Sequence, residues 1–130
     1  MPEPSLQGRR VLVVEDEYVL ASDLCDELEG AGAIVVGPAP TLEAALALLD
    51  DGARLDGAVL DVNLGGVMVF PLADLLVERQ APFVFTTGYD AGALPERFAA
   101  IINCEKPADT GAIRRAIAGA MQSRGPPART

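Results

Sequence analysis

The chain has 130 residues, ten Lys plus Arg against nineteen Asp plus Glu, and a formal net charge of −9. That length suits one compact domain able to bury a core without disulfides or metal. Half of the residues are apolar and 22% are charged, which excludes a disordered chain, and no apolar run approaches the ~18 residues of a membrane span. The acidic balance excludes nucleic acid or an anionic membrane as a partner held by a basic surface.

Two further features bound the chemistry. Histidine is absent, which removes the commonest general base, Ser-His and Cys-His nucleophile pairs, and imidazole zinc sites. Cys25 and Cys104 lie far apart with no CxxC spacing; they read as buried reduced thiols rather than a disulfide framework, in keeping with a cytoplasmic protein. The run Val11 to Val14 is too short for a signal peptide.

In chain order, residues 1–8 read as a tail, residues 9–122 as one domain and residues 123–130 as a second tail. Val11 to Val14 is a continuous apolar run, the pattern of a strand buried on both faces, ending in Glu15-Asp16-Glu17. Leu20, Leu24, Leu28 and Ala31 then recur at helical spacing until Gly30 or Gly32 stops the helix. Residues 33–36 predict a second strand broken by Gly37-Pro38, and Thr41 caps a second helix with Leu42, Ala45, Leu46 and Leu49 inward. Ala58 to Leu60 is a third strand ended by Asp61, with a turn at Gly65-Gly66. Residues 70–80 predict a third helix, with Pro71 in its first turn, and Phe83 to Phe85 a fourth strand ending in Thr86-Thr87-Gly88. A short fourth helix of at most two turns falls within 93–99. A fifth strand over 101–104 is closed by Lys106-Pro107, and the last helix covers about 109–122 with Ile113, Ile117, Ala120 and Met121 inward.

Five β-then-α alternations predict a doubly wound α/β domain, a five-stranded parallel sheet covered by helices on both sides. In such sheets ligands bind beyond the carboxyl ends of the strands. In the flavodoxin-like order 2-1-3-4-5 the first and third strands are neighbours, so Glu15, Asp16 and Asp61 converge. Oxygen ligands without His or Cys suit the hard ions Mg²⁺ or Mn²⁺. Nine of the ten basic residues are Arg, and the only lysine in the chain, Lys106, stands at a strand end. A nucleophile (Asp61), a metal cradle, the Thr87 hydroxyl and an ammonium are what phosphoryl transfer to a carboxylate requires. Taken singly, each residue also has an ordinary structural use: acids at a helix start, Asp61 in a turn, Thr86 and Thr87 as strand formers.

The segments VLVVEDE, LDVNL around Asp61, FTTG and KP, in this order and spacing, resemble the receiver domain of bacterial two-component response regulators, over Arg10 to about Met121. The resemblance implies that Asp61 is the phosphoacceptor, that Glu15, Asp16, Asp61 and the backbone carbonyl of Asn63 hold Mg²⁺, that Thr87 is the switch hydroxyl and that Lys106 contacts the phosphoryl group. It also implies a sensor histidine kinase or histidine phosphotransferase as donor, and either signalling to a downstream protein through the face of the fourth helix, fifth strand and fifth helix or service as a phosphate sink. Asn103 stands where most receivers carry the aromatic switch residue, and Tyr89 is the nearest aromatic substitute. Ala108 replaces a frequent Phe, and Gly65 a common proline. PFVFTTGYD resembles the subgroup, often stand-alone, whose fourth strand ends in Phe-Ala-Thr-Gly-Tyr. Such a protein is not an enzyme beyond its own phosphorylation and dephosphorylation. Two alternatives stay open: a receiver-like adaptor that works unphosphorylated, and a haloacid-dehalogenase-type phosphohydrolase, whose DxD motif would have Asn63 in place of its second Asp.

Overall fold

The structure, a computed structural model, describes residues 6–88 and 94–123. Its elements are β1 (Arg10–Val14), α1 (Tyr18–Gly30), β2 (Ile34–Ala39), α2 (Leu42–Asp50), β3 (Gly57–Asp61), β4 (Asn63–Leu64), β5 (Val67–Met68), α3 (Phe70–Glu78), β6 (Phe83–Thr87), a 3₁₀ turn (Glu96–Phe98), β7 (Asn103–Glu105) and α4 (Thr110–Ser123). Five strands form one parallel sheet in the order β2-β1-β3-β6-β7. This is the flavodoxin-like order expected from the βα alternation. The short antiparallel β4-β5 hairpin, an addition to the expected elements, stands outside the sheet.

Alternate residues of the central strands feed two cores, because successive side chains leave a strand on opposite faces. Leu12, Val14, Ala58, Leu60, Phe83 and Phe85 pack beneath Ala45 and Leu49 of α2 and Leu72, Ala73 and Leu76 of α3. Val11, Val13, Val59 and Val84 pack beneath Leu24 and Leu28 of α1 and Ile113, Ile117 and Met121 of α4. Burial on both faces is why these strands read as unbroken apolar runs. Thr41 caps α2 as its position predicts, its hydroxyl oxygen accepting from Ala44 N–H at 3.0 Å.

Several boundaries differ from the sequence expectation. The tail expected over residues 1–8 is already packed at Leu6, which is buried against β1 and α1, and Gly8 N–H donates to the Gly32 carbonyl at 2.9 Å. The second strand does not stop at Gly37-Pro38. A register shift opposite Leu12 to Val14 lets it resume at Ala39. Gly37 has φ +96°, and a Cβ there would lie 2.8 Å from the Ala39 nitrogen, so only glycine makes this bulge without strain. The fifth sheet strand begins at Asn103 rather than residue 101. Glu27 of α1 pairs with Arg114 of α4 at 2.7 Å, a contact between helices that the helical spacing does not announce. The two cysteines are free and half-buried rather than buried. The Gly37-Pro38 and Lys106-Pro107 peptide bonds are cis.

The described part of the short fourth helix is a single 3₁₀ turn, Glu96–Phe98. One residue anchors it: Phe98 is buried, stacks on Phe70 at 5.6 Å between centroids and meets Phe85 edge-on at 5.4 Å. Truncating a buried aromatic removes its burial and leaves a cavity. Phe98→Ala should therefore lower unfolding free energy by about 3–5 kcal/mol, measured by urea titration, whereas exposed Val77→Ala should change it by less than about 0.5 kcal/mol. A Phe98→Ala loss as small as that of Val77→Ala would contradict the anchoring role.

Candidate functional site

The parallel sheet delivers the carboxyl ends of β1, β3, β6 and β7 to one edge. Glu15 and Asp16 follow β1, Asp61 ends β3 beside Thr86 of β6, and Lys106 follows β7. Carboxylate oxygens of Glu15, Asp16 and Asp61 all lie within 4.8 Å of one another. Glu15 and Asp61 are buried, at 7% and 3% exposure, and Asp16 is exposed. The Lys106 ammonium lies 3.1 Å from Glu15 Oε1 and 3.2 Å from Asp61 Oδ2.

Local backbone holds these groups in place. Glu15 Oε2 accepts from Glu17 N–H at 3.1 Å, and Asp61 Oδ1 accepts from Asn63 N–H at 3.3 Å. Gly65 and Gly66 both have positive φ, the conformation a two-residue hairpin requires. Asn63 Oδ1 also accepts from Gly66 N–H at 2.6 Å. The hairpin thus sets Asn63 on the rim of a cleft of about 310 Å³ that Asp16, Asp61, Gly65, Gly66 and Lys106 also line.

Three carboxylates share one ammonium here. Burial is the largest influence on Asp61 and raises its pKa, the Glu15 charge and hydrogen bond raise it further, and Lys106 offsets only part. The result is a carboxyl pushed from 3.8 up to about 7. Burial pulls the Lys106 ammonium down, but Asp61 and Glu15 outweigh it and the group ends above its ordinary value. A cluster of oxygen donors with surplus negative charge fits a hard divalent cation, which would relieve the repulsion that protonation otherwise relieves.

The structure therefore brings Glu15, Asp16, Asp61, Asn63 and Lys106 together. Thr87 is buried at the end of β6, but its hydroxyl donates to Asn103 Oδ1 at 2.8 Å. Tyr89 lies outside the described residues. Sequence reasoning passed over an apolar groove of about 350 Å³ beside the cluster, lined by Leu20 and Leu24 of α1, by Pro107, Ala108 and Ile113, and by Lys106. The helical period places Leu20 and Leu24 on one side of α1, but only the tertiary fold sets them opposite Pro107.

Fold and cluster together define a flavodoxin-like α/β domain with an acidic pocket at its carboxyl edge. No protein-family model matches the chain. It is 36% identical to SdrG from Sphingomonas melonis Fr1, over 90% of this chain and 98% of that one, with a TM-score of 0.76. The BeF3-activated conformation of SdrG also matches, at 37% identity, 86% and 93% coverage and a TM-score of 0.67. A response regulator receiver protein from Sinorhizobium medicae WSM419 shares the fold at 24% identity, over 92% of this chain and 99% of that one, with a TM-score of 0.76. The phyllosphere-induced regulator PhyR of Methylorubrum extorquens is 33% identical over 90 residues, 68% of this chain and 32% of that protein. The chain thus spans about a third of that curated relative. It belongs to the response regulator receiver family of two-component signalling. Among the described residues, no helix is long and apolar enough to cross a membrane.

The raised Asp61 value carries a stability consequence with a definite sign. The folded state holds this proton more tightly than the unfolded chain, so its contribution to stability is full below about pH 4 and is lost as pH rises through about 7. With a chelator present, stability should fall by roughly 2 kcal/mol between pH 5.5 and 8. No histidine titrates in that window to mask the effect. Urea titrations of Asp61→Asn should show this fall abolished; an equal fall in the variant would contradict the assignment.

Proposed function

We propose that the chain is a phosphoacceptor receiver in which Asp61 takes a phosphoryl group from a histidine kinase or histidine phosphotransferase. The observation that carries this reading is the convergence of the Glu15, Asp16 and Asp61 carboxylates to within 4.8 Å of one another, with Lys106 bonded to two of them. Membership of the receiver family supports it over the haloacid-dehalogenase alternative.

In this reading an Asp61 carboxylate oxygen attacks phosphorus in line. The new O–P bond forms as the donor's P–N bond breaks, and the leaving imidazole takes up a proton. Glu15, Asp16, Asp61 and the Asn63 carbonyl would hold a Mg²⁺ ion, which when bound would supply positive charge to the phosphoryl oxygens and favour the ionised form of Asp61. Lys106 is the residue that must change partner. It neutralises Asp61 before transfer and, as a compact point charge, meets a phosphoryl oxygen after it. The buried floor of Val14, Leu60 and Phe85 fixes the strand ends, so the acceptor is positioned before the donor arrives. The product is a signalling state rather than a released molecule, so the domain turns over only its own phosphoryl group. A downstream protein or a phosphate-sink role then follows from which partner meets that state.

One observation favours the alternative of an adaptor that works unphosphorylated: the Thr87 hydroxyl is committed to Asn103. Partner binding left unchanged by Asp61→Asn would select that alternative.

A small phosphodonor such as acetyl phosphate should label the protein in the presence of Mg²⁺. Labelling should fall at least about 100-fold with a chelator or in Asp61→Asn, the scale expected for loss of a nucleophile, and persist in the surface control Asp26→Asn. Measured by phosphate-affinity gel, Asp61→Asn labelling at the wild-type level would contradict the acceptor assignment.

A further inference from the structure

Thr87 closes β6 and is buried, while Asn103 opens β7 and is exposed. In the parallel pairing Phe85 lies opposite Asn103 and Thr87 opposite Glu105. Thr87 and Asn103 are thus diagonal neighbours on one sheet face, within side-chain reach. The Thr87 hydroxyl donates to Asn103 Oδ1 at 2.8 Å. A hydroxyl carries one proton, so while this bond stands the proton is withheld from any other acceptor.

Asp61 is paired with Thr86, one residue before Thr87, so Asp61 and Thr87 stand at neighbouring strand ends on the carboxyl edge of the sheet. A phosphoryl group on Asp61 would present oxygens that only accept. A bond to such an anionic oxygen is roughly twice as strong as one to a neutral carboxamide, so the proton changes acceptor once the phosphoryl group is present and not before. Threonine has few staggered χ1 positions, and one rotation moves the hydroxyl between wells. Asn103 is an exposed residue, so water can reach its side chain when Thr87 leaves and no buried acceptor is stranded. A buried asparagine would forbid the exchange.

We propose that Asn103 is a competing acceptor that restrains phosphoryl capture: it holds the Thr87 hydroxyl at the sheet edge and yields it when Asp61 carries a phosphoryl group. The proposal rests on the phosphoacceptor reading above. Asn103 thereby taxes the phosphorylated state by one hydrogen bond, a polar latch at a position of the edge strand that has no aromatic ring to move.

Beryllofluoride with Mg²⁺, titrated onto the full chain and followed by the Thr87 methyl resonance, tests this. Asn103→Ala removes the competing acceptor and should tighten beryllofluoride binding by about 3- to 10-fold, the worth of one net hydrogen bond. Asn103→Asp, a stronger acceptor, should weaken it by a similar factor. In a Thr87→Val background Asn103→Ala should leave the affinity unchanged, because no hydroxyl remains to hold. The Thr87 methyl shift on titration should be reduced in Asn103→Ala, whose hydroxyl is already released. Unchanged affinity in Asn103→Ala, or the same gain with Thr87→Val present, would overturn the latch while leaving Asp61 as the acceptor. Wild-type protein that binds no beryllofluoride, or Asp61→Asn that still binds it, would instead overturn the phosphoacceptor reading and the latch with it.

Discussion

The carboxyl edge of the sheet is organised around one ammonium group. Lys106 Nζ touches the Glu15 and Asp61 carboxylates, both withdrawn from water, while Asp16 adds a third negative charge within the same few ångströms. One cation cannot balance three anions. Removing one partner of a buried pair typically costs about 3–5 kcal/mol, so Lys106 is what allows two carboxylates to stay buried. What it leaves uncompensated appears as an Asp61 carboxyl pushed up to about 7. A group at the point of losing its proton, beside an open cleft, is poised either to bind a cation or to react.

The fold supplies this arrangement by a simple rule. All five strands of the main sheet run parallel, so every strand ends at the same edge, and residues separated by 91 positions, Glu15 and Lys106, become neighbours. The rigid part lies below, where Leu12, Leu60, Phe85, Val13 and Val59 fill both faces of the sheet. The β4-β5 hairpin stands outside that sheet and, with the loops at the carboxyl edge, carries site residues without disturbing the core.

The five strands of the main sheet, the four long helices and the meeting of Glu15, Asp16 and Asp61 were legible because each rests on a local signal combined with one topological rule. Val11 to Val14 is an apolar run ended by acids, and Thr41 is a cap three residues before the N–H it satisfies. What stayed hidden depends on contacts between distant segments. The continuation of β2 to Ala39 needs the Gly37 bulge to be paired with β1, and the seating of the Glu96–Phe98 turn against Phe70 and Phe85 depends on packing between distant segments. The burial of Leu6, the Glu27–Arg114 pair and the Thr87–Asn103 bond likewise follow from packing and register rather than from neighbouring residues. In the sequence Asn103 stands only as an asparagine in place of an aromatic; its bond to Thr87 depends on the diagonal across β6 and β7.

The central claim is that the crowded carboxylate beside Lys106 is the group that becomes covalently phosphorylated. An acyl phosphate on aspartate is reduced by borohydride to homoserine, which marks the acceptor permanently in a peptide. Treating the protein with phosphodonor and Mg²⁺, reducing, digesting and sequencing by mass spectrometry should place homoserine at position 61 and nowhere else. Homoserine at position 16, at position 56, or at no aspartate in a protein that has taken up phosphate would contradict the account.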